Sequence, residues 1–287
     1  MLAVRSVVEN KMKLKIFQVD AFASEPFAGN PAAVVPLDEW LPDATMLKIA
    51  AENNLAETAF FVKEGDRYHI RWFTPTVEVN LCGHATLATS HVIFNELKLE
   101  EAFVPFHSDR SGQLGVEKHG DKLVLDFPAY PMEEIEHSDE LAQAVGEVPT
   151  KVWESQGNMV FLRVESEAKV RELEPDMHAL AKLKYDEVIV TAPGDDCDFA
   201  SRMFAPRIGI PEDPVTGAIH CSLIPYWAEL LGKTEMFARQ VSKRGGELYC
   251  ELNGDRVKIS GNAVTYLRGE IFVEDGLPQS TQRARSV

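Results

Sequence analysis

The sequence predicts an α+β protein built as two pseudo-symmetric domains, each a barrel-like sheet wrapped around one buried helix. Three observations carry that expectation. The first is the stretch Leu81 to Leu97, LCGHATLATSHVIFNEL, whose apolar residues fall on every face of a helical turn. A helix apolar all round packs inside a core, and this one falls short of the roughly 20 apolar positions of a membrane span. The second is that the stretch recurs: at a shift of 134 residues Gly83 falls on Gly217, where VTGAIHCSLIPYWAELL is again apolar on all sides, and Leu97 falls on Leu231. The third is that the same register continues from Gly112–Asp126 onto Gly246–Ser260, with His119-Gly120-Asp121 matching Asn253-Gly254-Asp255 as turn signals between alternating strands.

Upstream the match persists with small slips. Phe73-Thr74-Pro75 answers Phe204-Ala205-Pro206 at a shift of 131, and Gly29-Asn30 answers Gly157-Asn158 at 128. The second half therefore carries two short insertions, the later one in the loop of Pro211, Glu212, Asp213 and Pro214.

Taken in order, the native start is read as Met12, ahead of the strand LKIFQVDAF, with 1–11 and 274–287 as flexible ends. FASEPFAGNPAAVV is a Gly/Asn/Pro turn entering a strand. Pro42-Asp43 and Pro175-Asp176 each open a helix, and strands starting at Glu57 and Glu187 follow. Residues 12–127 form the first domain and 128–273 the second, with Phe127 to Pro131 as the linker and the last strand free to return to the first domain. Pro225, inside the second apolar helix, removes one backbone hydrogen bond and is expected to kink it.

Composition narrows the function. A chain of 287 residues, 45% apolar, can bury two cores. A net charge of −16 with no offsetting basic run argues against nucleic-acid or anionic-membrane partners. Cys82, Cys197, Cys221 and Cys250 show no paired CxxC spacing and no secretory signal precedes them, so a reduced cytoplasmic protein is expected. Gly232-Lys233-Thr234 ends like a phosphate-binding loop, but Trp227 stands where its opening glycine is required.

Two related central helices direct attention to their starts. A helix start exposes unpaired N–H groups and about half a positive charge, which suits a carboxylate. Gly83 and Gly217 permit close backbone approach there. Around these starts stand Cys82, His84, Asp213 and Glu57. Each has a structural alternative: Cys82 as a small core residue, Asp213 as a helix cap ahead of Pro214, and Glu57 as a solvated strand edge. His84, at the positive end of a helix dipole, is expected to be a neutral hydrogen-bonding group.

The segments GNPAAVV (Gly29–Val35), NLAETAFF (Asn54–Phe61), RWFTPTVEVNLCGHATLA (Arg71–Ala88) and MFAPRIGIPEDPVTGA (Met203–Ala218) together resemble the PhzF-like family of phenazine-biosynthesis proteins. That family is a branch of the diaminopimelate-epimerase-like fold, and the resemblance spans nearly all of Lys13 to Val273. It implies a cofactor-independent, metal-free isomerase site between two domains, commonly in a homodimer. Its best-understood reaction isomerises a dihydro-hydroxyanthranilate ring. The resemblance makes Glu57 the proton-transferring acid/base, His84 a group that holds and polarises a small carboxylated substrate, and Asp213 a hydrogen-bonding partner. The backbone after Gly83 and Gly217, with Cys82 and Ala218 beside it, completes the binding site.

Two departures bear on chemistry. Ala218 stands where many members have serine. Epimerases and racemases of the fold oppose two cysteines, whereas here Cys82 is answered by Thr216 at the 134-residue shift. One-base chemistry through Glu57 is therefore favoured over an epimerase or racemase using Cys82. Further alternatives are a catalytically silent small-molecule binder and a metal protein using Cys82, His84, His220 and Cys221, whose spacing matches no zinc motif.

Overall fold

The structure is a computed structural model that describes residues 11–136 and 138–274. The first half runs β1 (Lys11–Ala21), β2 (Asn30–Leu37), α1 (Asp43–Asn53), β3 (Glu57–Glu64), β4 (Arg67–Phe73), β5 (Glu78–Val79), α2 (Gly83–His91), β6 (Phe103–Ser108), β7 (Gly112–His119) and β8 (Lys122–Pro128). The second runs β9 (Glu133–Ile135), α3 (Asp139–Val145), β10 (Lys151–Ser155), β11 (Met159–Arg163), α4 (Glu167–Glu172), α5 (Met177–Leu180), β12 (Glu187–Pro193), β13 (Phe199–Ala205), β14 (Ile210–Asp213), α6 (His220–Leu231), β15 (Glu235–Gln240), β16 (Gly246–Asn253), β17 (Arg256–Gly261) and β18 (Ala263–Glu274). It is a mixed α+β fold, mostly sheet.

The two halves repeat one pairing scheme. In the first, β1 pairs with β2, β2 lies parallel to β3, and β4 bridges to β6. In the second, β10, β11, β12, β13 and β15 pair in the same way. The end strands cross over: β9 joins β10, and β18 returns to pair along β1. Of the stretches expected to be flexible ends, Lys11 and Glu274 instead face each other at one end of that ladder, because β1 and β18 extend each other's pairing. Residues 1–10 and 275–287 lie outside the described residues. The halves join through β8 and β17, where Leu125 stands opposite Ile259, its own counterpart at the 134-residue shift. The pseudo-two-fold axis therefore passes through that pair.

Strands buried on both faces explain why their sequences read as continuous apolar runs. In β3, Ala59 and Phe61 point to the central core, while Phe60 and Val62 point outward to Met46 and Ile49 of α1. In β12, Ile189 faces inward, and Val188 and Val190 face the core under α3, α4 and α5. The central core is continuous across both halves, taking in Leu87 and Ile93 from one and Leu223, Ile224 and Trp227 from the other.

The central helices differ from the expected continuous runs. α2 stops at His91 and continues as a π-turn over Val92–Glu96, closed by Leu97 N–H donating to the Val92 carbonyl at 2.9 Å. Its buried hydroxyls are satisfied within the helix: Thr86, Thr89 and Ser90 donate to the carbonyls four residues earlier at 2.6, 2.7 and 2.9 Å. α6 begins at His220, later than the repeat suggests, because Gly217 to Ile219 form a tighter turn whose carbonyls accept the N–H groups of His220, Cys221 and Ser222. Pro225 cannot donate to the Cys221 carbonyl one turn back, and that carbonyl instead accepts Tyr130 N–H at 2.9 Å. The proline thus frees an acceptor that docks the segment connecting the halves.

Candidate active site

The candidate residues converge where the start of α2, the first residue of β3, the Gly29-Asn30 turn and the last residue of β14 meet. Cys82 caps α2 in an extended conformation, which sets Gly83 as the first helical residue and buries His84 in the first turn. α1 ends in a left-handed Asn54, φ 49°, and the short turn after it delivers Glu57 to the mouth of β3. Asn30 follows Gly29, whose φ of +65° and contact with the Ala21 carbonyl leave no room for a side chain.

Asn30 ties the halves together. Its Nδ2 donates to Asp213 Oδ1 at 2.8 Å and to the Val215 carbonyl at 2.9 Å, and lies 3.2 Å from His84 Nδ1. The loop before α6 is held from the other side by Gln240, which donates to the Asp213 carbonyl at 2.8 Å and accepts Thr216 N–H at 2.8 Å. Thr216 Oγ1 donates to Asp213 Oδ2. Both carboxylate oxygens of Asp213 are therefore engaged within the chain. This corrects its reading as a helix cap: Asp213 ends β14, well short of α6, and its side chain bonds Asn30 and Thr216.

Glu57 is placed differently. Its Oε2 lies 3.2 Å from His84 Nε2, within ion-pair distance but without a hydrogen bond, and that oxygen is buried with no hydrogen-bond partner. Cys82 Sγ lies 3.5 Å from His84 Nδ1 and 4.0 Å from Nε2. Nδ1 faces the Asn30 amide and the Cys82 thiol, so Nε2 is the nitrogen that carries its proton toward Glu57.

Burial is the largest influence on His84, Cys82 and Asp213. It alone would pull the His84 imidazole down, but the Cys82 sulfur and the Glu57 carboxylate outweigh it and hold the ring well above its ordinary value. The adjacent carboxylate thus opposes the preference of the helix start for a neutral ring. Burial pushes the Cys82 thiol up to about 11, with the Glu57 charge adding to the effect, so the sulfur keeps its proton at neutral pH. Burial also raises Asp213, against the opposing pull of His84, Thr216 and Asn30.

Gly83 and Gly217 both have space around them: an added Cβ would meet nothing nearer than 3.9 Å. Packing within the chain does not demand glycine at either position. Ala218 is exposed in the turn before α6. His220 and Cys221 do not join the others. His220 Nδ1 donates to the Thr216 carbonyl at 2.8 Å, and burial lowers the ring to about 4. The four-residue metal reading is corrected accordingly, since among the described residues the group of three or more potential ligands within 4.8 Å of one another is Glu57, Cys82 and His84.

Residues 19–269 match the family model of phenazine biosynthesis-like proteins, PhzC-PhzF. The chain belongs to the PhzC-PhzF family. An uncharacterised isomerase of Pseudomonas aeruginosa is 53% identical over 260 residues, covering 91% of this chain and 99% of that protein. A PhzF-family crystal structure from Enterococcus faecalis superposes with a TM-score of 0.88 at 47% identity, covering 91% of this chain and 100% of the other. More distantly, a hydroxyproline epimerase of Agrobacterium vitis shares the fold, with a TM-score of 0.59 at 11% identity over 92% of this chain and 94% of that one. The PhzF family and its diaminopimelate-epimerase-like fold are thus established for this chain, and the enzyme class its relatives carry is isomerase.

Three residues of this PhzF-family site escaped the sequence reading. Asn30 was visible inside the Gly-Asn-Pro segment but reads there as turn chemistry. Thr216 reads in the sequence only as the residue in the place of a second cysteine. Gln240, fully buried at the end of β15, carries no local signal at all.

Proposed function

We propose that this PhzF-family protein is an isomerase that moves a proton between two carbons of a small carboxylated substrate, with Glu57 as acid and base. The observation that carries this reading is the buried Glu57 Oε2, which has no hydrogen-bond partner and lies 3.2 Å from a proton-bearing nitrogen of His84. A general base needs a free lone pair within reach of the proton it takes. Asp213, with both oxygens engaged, lacks one.

In this scheme the starts of the two central helices hold the substrate carboxylate through N–H groups that a helix's first turn leaves unpaired. Glu57 takes a proton from a carbon conjugated to that carboxylate. The electron pair spreads toward the carboxylate and is stabilised by the His84 N–H, the double bond shifts, and Glu57 returns the proton to a second carbon. Asp213 and Asn30 keep His84 in place. A thiol pushed up to about 11 and Thr216 in the opposing place both disfavour a two-thiol racemase.

An anthranilate-like ring is the substrate class we favour, and phenazine biosynthesis the corresponding context. Residence in the cytoplasm and a homodimer belong to the same proposal. No helix among the described residues is long and apolar enough to cross a membrane. A solution mass twice that of the 32.0 kDa chain checks the dimer. The function is tested by incubating the protein in D2O with small cyclic and acyclic carboxylates. A substrate that shifts its double bond and takes up carbon-bound deuterium supports the proposal, and inertness of the whole series, with binding detected, favours a silent binder.

A further inference from the structure

Glu57, Cys82 and His84 offer an oxygen, a sulfur and a nitrogen within 4.8 Å of one another, in a setting almost closed to water. Zinc binds this combination of ligands with bonds of about 2.0 to 2.3 Å, which sets ligand-to-ligand edges near 3.3 to 3.5 Å in a tetrahedral site. The Glu57 Oε2 to His84 Nε2 edge is already 3.2 Å. Cys82 Sγ lies 3.5 Å from Nδ1 and 4.0 Å from Nε2, so it needs to swing toward the Nε2 edge and close by roughly half an ångström.

We propose that these three side chains form a site for a soft divalent cation, represented by Zn2+, whose occupancy blocks proton transfer at Glu57. Four features argue for it. First, Glu57 Oε2 is a buried acceptor with no hydrogen-bond partner, so a cation displaces no existing bond there. Second, the His84 nitrogen facing the carboxylate, Nε2, is placed to ligate once it gives up its proton. Third, charge balances: one carboxylate and one thiolate neutralise a divalent ion, which a low-dielectric site requires. Fourth, three protein ligands leave a fourth position for water or a substrate carboxylate, as in open zinc sites.

Binding is a simple exchange. The Cys82 S–H bond breaks and its proton passes to solvent, the His84 proton moves from Nε2 to Nδ1, and sulfur–metal and nitrogen–metal bonds form with no change of oxidation state. A Glu57 oxygen committed to the cation can no longer accept a proton from carbon. The block on turnover rests on the proposed role of Glu57, whereas the binding itself does not, so the two are separable.

The test uses Co2+ as a spectroscopic stand-in for Zn2+, added to the full-length protein without substrate. The expected result is one Co2+ per chain, a near-ultraviolet thiolate-to-cobalt band, loss of that band in Cys82→Ser, affinity at least about tenfold weaker in Glu57→Gln, and displacement by Zn2+. Thermal melts of both variants report whether the fold is kept, and the two variants remove different ligands. Absence of stoichiometric Co2+ binding, or a thiolate band that persists in Cys82→Ser and so arises from Cys197, Cys221 or Cys250, overturns the proposal. If Co2+ binds as described but Zn2+ leaves turnover untouched, the site holds a metal and the proposed block, with it the role of Glu57, is wrong.

Discussion

Glu57 and Glu187 open equivalent strands of the two halves. In β3, Thr58 stands opposite Phe73, and in β12, Val188 stands opposite Phe204, so the residue before each begins the same strand on the face turned to the central core. Each glutamate keeps one carboxyl oxygen buried without a hydrogen-bond partner. Glu57 has His84 beside it. Glu187 has none, and burial, with the charges of Asp213 and Asp186, pushes it from 4.5 up to about 7.

That difference predicts a pH-dependent stability. Between pH 4.5 and about 7 the folded state holds a proton on Glu187 that the unfolded chain has released, so this group's contribution falls as pH rises through that window and is flat above it. The loss is at most about 3 kcal/mol. Glu187→Gln, neutral at every pH, is expected to gain stability relative to the parent at pH 8 and little at pH 4.5. Denaturant midpoints of both proteins at the two pH values measure it.

Asn30→Ala removes the amide that joins His84 to Asp213 and to the Val215 carbonyl, leaving buried acceptors unpaired. The expected cost is about 2 to 3 kcal/mol, read as a lower urea midpoint with an unchanged m-value.

Gly29→Ala combines a left-handed φ of +65° with a Cβ placed 2.1 Å from the Ala21 carbonyl oxygen. A backbone atom cannot swing aside as a side chain can, so the variant is expected to lose more than about 2 kcal/mol. A thermal melt close to that of the parent would show that the turn relaxes.

Pro225→Ala supplies an N–H that competes for the Cys221 carbonyl now held by Tyr130. Amide hydrogen exchange is expected to show Tyr130 losing protection while α6 gains it. Unchanged protection at Tyr130 would mean that the carbonyl serves both donors.

The repeat made the fold legible, because the residues that bury each central helix had to be apolar in both copies. Strands such as Glu57 to Val62 were legible for the same reason, being buried on both faces. What escaped depends on partners distant in sequence. Gln240 grips the Asp213–Thr216 loop ahead of α6, and nothing near Gly217 encodes that grip. The π-turn after His91, which buries Val92, Ile93 and Phe94, has no local signal in the sequence. In the site, Glu57, Cys82, His84 and Asp213 stood out by their chemistry. Asn30 did not, since an asparagine beside a glycine serves turns far more often than it bridges two halves of a site.

The central claim is that one carboxylate, Glu57, carries the proton. Its most direct test is the rate of carbon-bound deuterium uptake from D2O into a turned-over substrate, compared between the parent and Glu57→Gln, with near-ultraviolet circular dichroism confirming the same fold. The account predicts a fall of about 10² to 10⁴ in that rate. Uptake by Glu57→Gln at the parental rate would contradict it.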